Sequence, residues 1–152
     1  MDKVEVLEAI DRAFGEGSRP EHFLTNSNHC SECQEHEETL QGVTPATISR
    51  KEVGSPGWDP LCGTTPEGFQ YFMPGLARLA FGKGDNYYLD SLLFHLESLQ
   101  LEHFNRVQKE AILKLLWFLY ETLSDEIDKS AWGDCDLSRV IDQLEEGDGA
   151  EE

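Results

Sequence analysis

Residues 105–121, NRVQKEAILKLLWFLYE, decide the fold. Asn105 followed three positions later by Gln108 is the pattern of a reciprocally capped helix start. From Ala111 to Tyr120 apolar side chains then cover most of the circumference, leaving a narrow polar edge through Glu110, Lys114 and Glu121. A helix that is apolar nearly all round must be surrounded by others. The segment is therefore expected to run through the middle of a bundle, with Trp117 and Phe118 in or beside the core.

Working outward, Leu89, Leu92, Leu93, Leu96 and Leu99 carry helical spacing on the preceding element. Before it, Thr65-Pro66-Glu67 places a capping hydroxyl, a proline at the first helical position and a carboxylate at the positive end of the helix dipole. Phe69, Phe72, Leu76 and Leu79 form that helix's stripe, Pro74 is expected to kink or split it, and Gly82 and Gly84 close it. At the start, Val4, Leu7, Ile10 and Phe14, with Ala13 beside them, mark an amphipathic helix ended by Gly15 and Gly17. After the central helix, Asp136 is read as the cap of a last short helix carrying Leu137, Val140, Ile141 and Leu144. Residues 145–152 have nothing to bury and read as a disordered acidic tail. With no repeat and no sustained alternation, the expectation is an all-α protein: a small helical bundle forming one domain over residues 1–144, of ordinary size for a chain of 152 residues.

The balance of 30 acidic against 12 basic side chains, a formal charge of −18, excludes a surface built for nucleic acid or anionic lipid. No run approaches the roughly 20 apolar residues of a membrane helix, and the first residues lack the basic-then-apolar form of a secretion signal, so a cytosolic setting is expected. From residue 121 onward twelve acidic side chains face two basic ones. That excess either steers a basic protein partner or simply solvates the surface.

Residues 18–63 are harder to place. Pro20, Pro45, Pro56 and Pro60 interrupt them, and only short helical turns near 32–40 and 49–53 are expected. An irregular span this long is uncommon inside a domain unless something fastens it. The most distinctive chemistry lies here: His29-Cys30-Ser31-Glu32-Cys33-Gln34-Glu35-His36, a C-x-x-C flanked by two histidines. Thiolate and imidazole are the donors zinc prefers in a tetrahedron, and a C-x-x-C turn presents two sulfurs to one side. On a straight helix Cys30 and His36 would be about 9 Å apart along the axis, so the backbone at Cys30 must be non-helical. Cys62, in the glycine- and proline-rich loop 54–63, is the best distant donor. The expected structural zinc site is Cys30, Cys33, His36 and Cys62, with His29, Asp59 and Cys135 as substitutes. Such a clip supplies on the order of 10 kcal/mol in small zinc peptides, enough to order a loop with little core.

Rival readings use the same residues. Cys30 and Cys33 form a thiol redox pair if the C-x-x-C opens a helix in a βαβ setting, which the sequence does not display. A metal-dependent hydrolase needs an open coordination position and a carboxylate base, yet neither H-x-E…P-C-x-x-C nor H-E-x-x-H occurs. G-x-S-x-G, phosphate-loop and dinucleotide patterns are also absent, so the chain leans away from catalysis. Trp58 is expected to pack down and pin its loop, Asp59 to accept backbone N–H groups within the turn, and His95 to sit at the core margin.

Residues 61–79, centred on Thr65-Pro66-Glu67-Gly68-Phe69-Gln70-Tyr71-Phe72-Met73-Pro74, resemble a family of small bacterial proteins classed only as a domain of unknown function. Residues 104–120, with Gln108, Ala111, Ile112, Leu116 and Leu119, are similar to that family's closing helix. The resemblance implies a shared helical core and a bacterial, cytosolic origin; it implies no role for any residue. A zinc-clipped acidic protein acting on a protein partner, as inhibitor, immunity-type factor or adaptor, is the functional expectation.

Overall fold

Asn105 accepts a hydrogen bond from Gln108 N at 2.8 Å through Oδ1, and Gln108 Oε1 accepts from Asn105 N at 2.9 Å, so the helix starts where its capping chemistry places it. The computed structural model of the chain describes residues 2–15, 19–25, 30–97, 101–129 and 135–150. Its helices are α1 (Lys3–Phe14), α2 (Ser31–Gln41), α3 (Arg50–Val53), α4 (Pro66–Leu79), α5 (Leu89–His95), α6 (Arg106–Thr122), α7 (Ser124–Lys129) and α8 (Cys135–Ala150). Single 3-10 turns lie at Pro56–Trp58, Pro60–Gly63, Gly84–Asn86 and Leu101–His103. Among the described residues there is no strand, only an antiparallel bridge between Leu24 and Thr64, and the protein is all-α. No described helix is long and apolar enough to cross a membrane.

The central helix α6 packs against α1 on one side and α8 on another, while α1 also meets α4 and α8 meets α5. Ala111, Ile112, Leu115, Leu116 and Leu119 are buried in that arrangement. Trp117 is not: it is 44% exposed, because the open face of α6 is wider than the narrow polar edge expected through Glu110, Lys114 and Glu121. Phe118 is half-buried, its ring 5.9 Å from that of Phe81. In α1 the buried seam is Val6, Ile10 and Phe14, an i, i+4, i+8 row, and Val4 points outward. Leu137, Val140, Ile141 and Leu144 are buried on α8 as expected. The α8 backbone continues helical to Ala150, past the expected boundary at residue 144, since turns packed through Leu144 let hydrogen bonding propagate into residues with nothing to bury.

Helix α4 begins with Thr65 Oγ1 accepting from Gly68 N at 3.0 Å and with Pro66 in the first turn. Pro74 does not divide it. The proline removes one rung of the ladder, but Phe69, Phe72 and Met73 before it and Leu76 and Ala77 after it are all buried, and that packing outweighs the missing bond.

The span 18–63 is more structured than its sequence suggests. α2 is a full helix of 11 residues, and Phe23, Leu40, Ile48, Val53 and Leu61 are buried in the common core. Long polar side chains do the fastening. Arg78 Nη2 donates to the carbonyls of Pro45, Ala46 and Ile48 at 3.2, 3.4 and 2.9 Å. Arg19 donates to those of Gln41 and Val43 at 2.8 and 3.1 Å. Glu37 accepts from the N–H groups of Phe23 and Leu24. Core packing and these hydrogen bonds tie the segment down at several points, so a metal clip is not needed to account for all of its fastening.

Where this segment crosses α4, a Cβ on Gly75 would lie 2.5 Å from Pro45 O and from Ile48 Cγ2. Helix propensity alone would make Gly75→Ala stabilising by about 1 kcal/mol, but overpacking against backbone costs about 3 kcal/mol. A net loss of about 2 kcal/mol is expected, read as a lower urea midpoint. A raised midpoint would show that the 45–48 loop withdraws freely.

Candidate metal centre

Asp59 lies between two proline-initiated turns, Pro56–Trp58 and Pro60–Gly63. Pro60 sets the second turn's geometry, and Asp59 Oδ1 caps it by accepting from Leu61 N at 2.9 Å. The Cys62 N–H donates to the Asp59 carbonyl at 3.2 Å. Asp59, the extended N-cap, and Cys62, inside the turn, bring a carboxylate oxygen and a sulfur within 4.8 Å of each other.

What they face is α5. His95 Nε2 is 2.8 Å from Asp59 Oδ2, both side chains being only 5% exposed. The imidazole is held by the rings of Phe69 and Phe94, at centroid distances of 6.0 and 5.7 Å. One ligand atom from each of Asp59, Cys62 and His95 lies within 4.8 Å of the others, a group that could hold a metal ion. No other cluster of three or more such groups occurs among the described residues.

Tyr88, one residue before α5 and two helical turns from His95, completes the setting. It is buried, and its hydroxyl has no hydrogen-bond partner among the described residues. Burial, then the Asp59 charge, then Cys62, push its phenol far up, so it remains protonated. An orphaned buried hydroxyl costs about 1–3 kcal/mol and here lies within electrostatic reach of two of the three donors. Cys62 is exposed at the surface, so the cluster opens to solvent on its side. Partial desolvation and Asp59 push its thiol up as well.

The expected four-ligand set is not gathered into one cluster. Cys62 stands with Asp59 and His95, while Cys30 and Cys33 pair with each other, their Sγ atoms 3.4 Å apart. His36 is committed elsewhere: its ring lies 4.6 Å from that of Trp58, its Nε2 is 3.4 Å from Glu32 Oε1, and its buried Nδ1 has no partner among the described residues. Trp58 meets His36 as a loop pin would, yet stays 45% exposed. His29 and the side chain of Cys135 lie outside the described residues. Of the expected ligand Cys62 and the substitutes, Cys62 and Asp59 fall in this group, and His95, expected at the core margin, joins them. The available signal was its position among buried leucines, because an imidazole there requires a polar partner.

The arrangement is unsuited to acyl transfer. A Cys-His-Asp relay needs the thiol on one imidazole nitrogen and the carboxylate on the other. Here Asp59 takes Nε2, no hydrogen bond joins Cys62 Sγ to the ring among the described residues, and the thiol is pushed up rather than down. No family model matches the chain, and no curated protein or solved structure proves similar to it.

Proposed function

We propose that Asp59, Cys62 and His95 bind one zinc ion, which clips the 59–63 turn to α5, and that the clipped protein works in the reducing cytosol by engaging a basic protein partner. The single observation behind the metal half is the buried Asp59–His95 contact with a thiol projecting from the same turn. Oxygen, sulfur and nitrogen donors together suit a borderline-soft divalent ion. A tetrahedral zinc site places neighbouring N and O donors about 3.4 Å apart, so the 2.8 Å contact needs to open by about 0.6 Å as the ion replaces the shared proton. The partner half is supported by the charge of −18.

Cobalt serves as the spectroscopic probe. Titration of the full chain should saturate at one ion, with a sulfur-to-metal band of single-thiolate intensity that Cys62→Ser abolishes and Cys30→Ser leaves intact. His95→Gln should weaken zinc binding by at least about 100-fold. Absence of binding at micromolar metal, or a band requiring Cys30 and Cys33, would reject the assignment. The partner half predicts co-purification with a basic polypeptide that salt releases, and a chain isolated alone at low salt counts against it.

A second reading draws on the donor count. Three protein ligands leave a tetrahedral position for water on the side where Cys62 meets solvent, the arrangement of hydrolytic zinc. Ester hydrolysis by the loaded protein, above that of free zinc and lost in His95→Gln, would favour it.

A further inference from the structure

A second thiol site stands apart from the candidate metal centre. Cys30 is the N-cap of α2, in extended conformation (φ −158°, ψ 173°), with its sulfur accepting from Cys33 N at 3.5 Å. Cys33 falls in the first turn and brings its own sulfur to 3.4 Å from that of Cys30. Cys30 is exposed and Cys33 partly so. A disulfide needs about 2.05 Å between sulfurs, so side-chain rotation within a fixed N-terminal turn supplies the rest of the approach. The sequence offered no βαβ context for redox chemistry, but what such chemistry needs is the helix start, and an all-α chain supplies it here.

We propose that Cys30 and Cys33 are a thiol–disulfide exchange pair, with Cys30 as the attacking sulfur, Cys33 as the resolving sulfur and an accessible disulfide, preferably cationic, as substrate. The division of labour follows from what surrounds each sulfur. The Cys30 sulfur receives the Cys33 N–H and sits at the positive end of an 11-residue helix, both of which favour thiolate. The Cys33 thiol is pushed up, first by its hydrogen bond with Cys30, then by desolvation and by the charges of Cys30 and Glu32, and it is the less exposed of the two cysteines, which suits it to the resolving step.

The exchange balances without a further reactant. The Cys30 thiolate attacks one sulfur of the substrate disulfide; a bond forms between them, the substrate S–S bond breaks, and the first substrate thiolate leaves and takes a proton from solvent. Cys33 then loses its proton and attacks Cys30 Sγ, forming the Cys30–Cys33 disulfide and expelling the second substrate thiolate. Two electrons have passed from the dithiol to the substrate. A zinc half-site is the rival use of two close thiols, but among the described residues no third donor joins them within 4.8 Å. The preference for positive charge comes from Glu32, Glu35, Glu37 and Glu38 on the same helix, which carries no lysine or arginine.

The test uses the full chain, reduced and treated with chelator, in a Cys62→Ser background that removes the metal centre's thiol and leaves this pair intact. Cystamine and oxidised glutathione are the probes, and peptide mapping by mass reads the adducts. The pair should lose two hydrogens on oxidation. Cys33→Ser should trap a mixed disulfide at Cys30, and Cys30→Ser should form its adduct at Cys33 at least 10-fold more slowly. Cystamine should outpace glutathione disulfide by 10-fold or more at low salt, the ratio narrowing as salt rises. Equal trapping at both cysteines overturns the assignment of roles, and equal rates for the two probes overturn the cationic preference. Failure to oxidise, or thiols in untreated protein that react only after chelation releases one zinc per pair, overturns the exchange site itself. Because Cys62 is absent throughout, none of these results depends on the metal centre.

Discussion

His95→Ala in the metal-free protein is expected to lower the unfolding free energy by about 3–5 kcal/mol. The substitution removes the one side-chain partner that Asp59 Oδ2 has among the described residues and leaves a carboxylate whose side chain is 5% exposed with one remaining bond there, Leu61 N to Oδ1. Desolvating a polar group without replacing its partner costs more than the bond's net worth when both partners are present. His95→Gln restores an N–H near the position of Nε2 and should recover most of the loss. Asp59→Asn keeps an acceptor for Leu61 N and should be milder than Asp59→Ala, which deletes the turn's cap as well as the buried pair. Urea midpoints at unchanged slope measure the series in the presence of chelator. A His95→Ala loss below about 1 kcal/mol would show that Asp59 is rehydrated through the exposed Cys62 side, and the pair would cease to be a structural element.

The contrast between these residues and the helix ends shows what the sequence could disclose. Thr65-Pro66 and Asn105 with Gln108 were legible because capping is satisfied within four residues of chain, and nothing distant alters it. The pairing of Asp59 with Cys62 was half-legible for the same reason, being an i, i+3 relation within one turn. His95 was not, because it meets Asp59 across 36 positions and no local pattern records that meeting. Residues 18–63 follow the same rule. Arg78 reaches back 30 to 33 positions to three carbonyls, and Arg19 and Glu37 bind backbone far from their own turns. Local pattern therefore points to the C-x-x-C as the fastening, because it is the most conspicuous cluster in that segment. The histidine beside that cluster instead packs on Trp58, while the two thiols lie 3.4 Å from each other. Trp117 illustrates the limit of periodicity: an apolar circumference says how much of a helix is fit to be covered, and the neighbours decide how much is.

Phe69→Ala should produce a comparable loss, about 3–5 kcal/mol, and should reach the proposed metal centre as well. Phe69 is fully buried on α4 and links two regions. Its ring lies 6.0 Å from the His95 imidazole and 6.4 Å from Phe104, which meets Phe14 of α1 edge-on at 5.4 Å. The imidazole thus rests on a ring that the core holds in place, and emptying that position frees His95 to leave the orientation in which Nε2 faces Asp59. Residues that orient a ligand typically change metal affinity by about 10–100-fold when replaced, so zinc binding should weaken by that factor even where the protein remains folded. Phe69→Leu separates the two effects: it refills most of the volume at a cost below about 1.5 kcal/mol but cannot present a flat ring to the imidazole. If zinc affinity falls in Phe69→Leu while the urea midpoint barely moves, the ring positions the ligand. If affinity and midpoint fall together in both variants, Phe69 serves the core alone, and His95 must owe its orientation to Asp59.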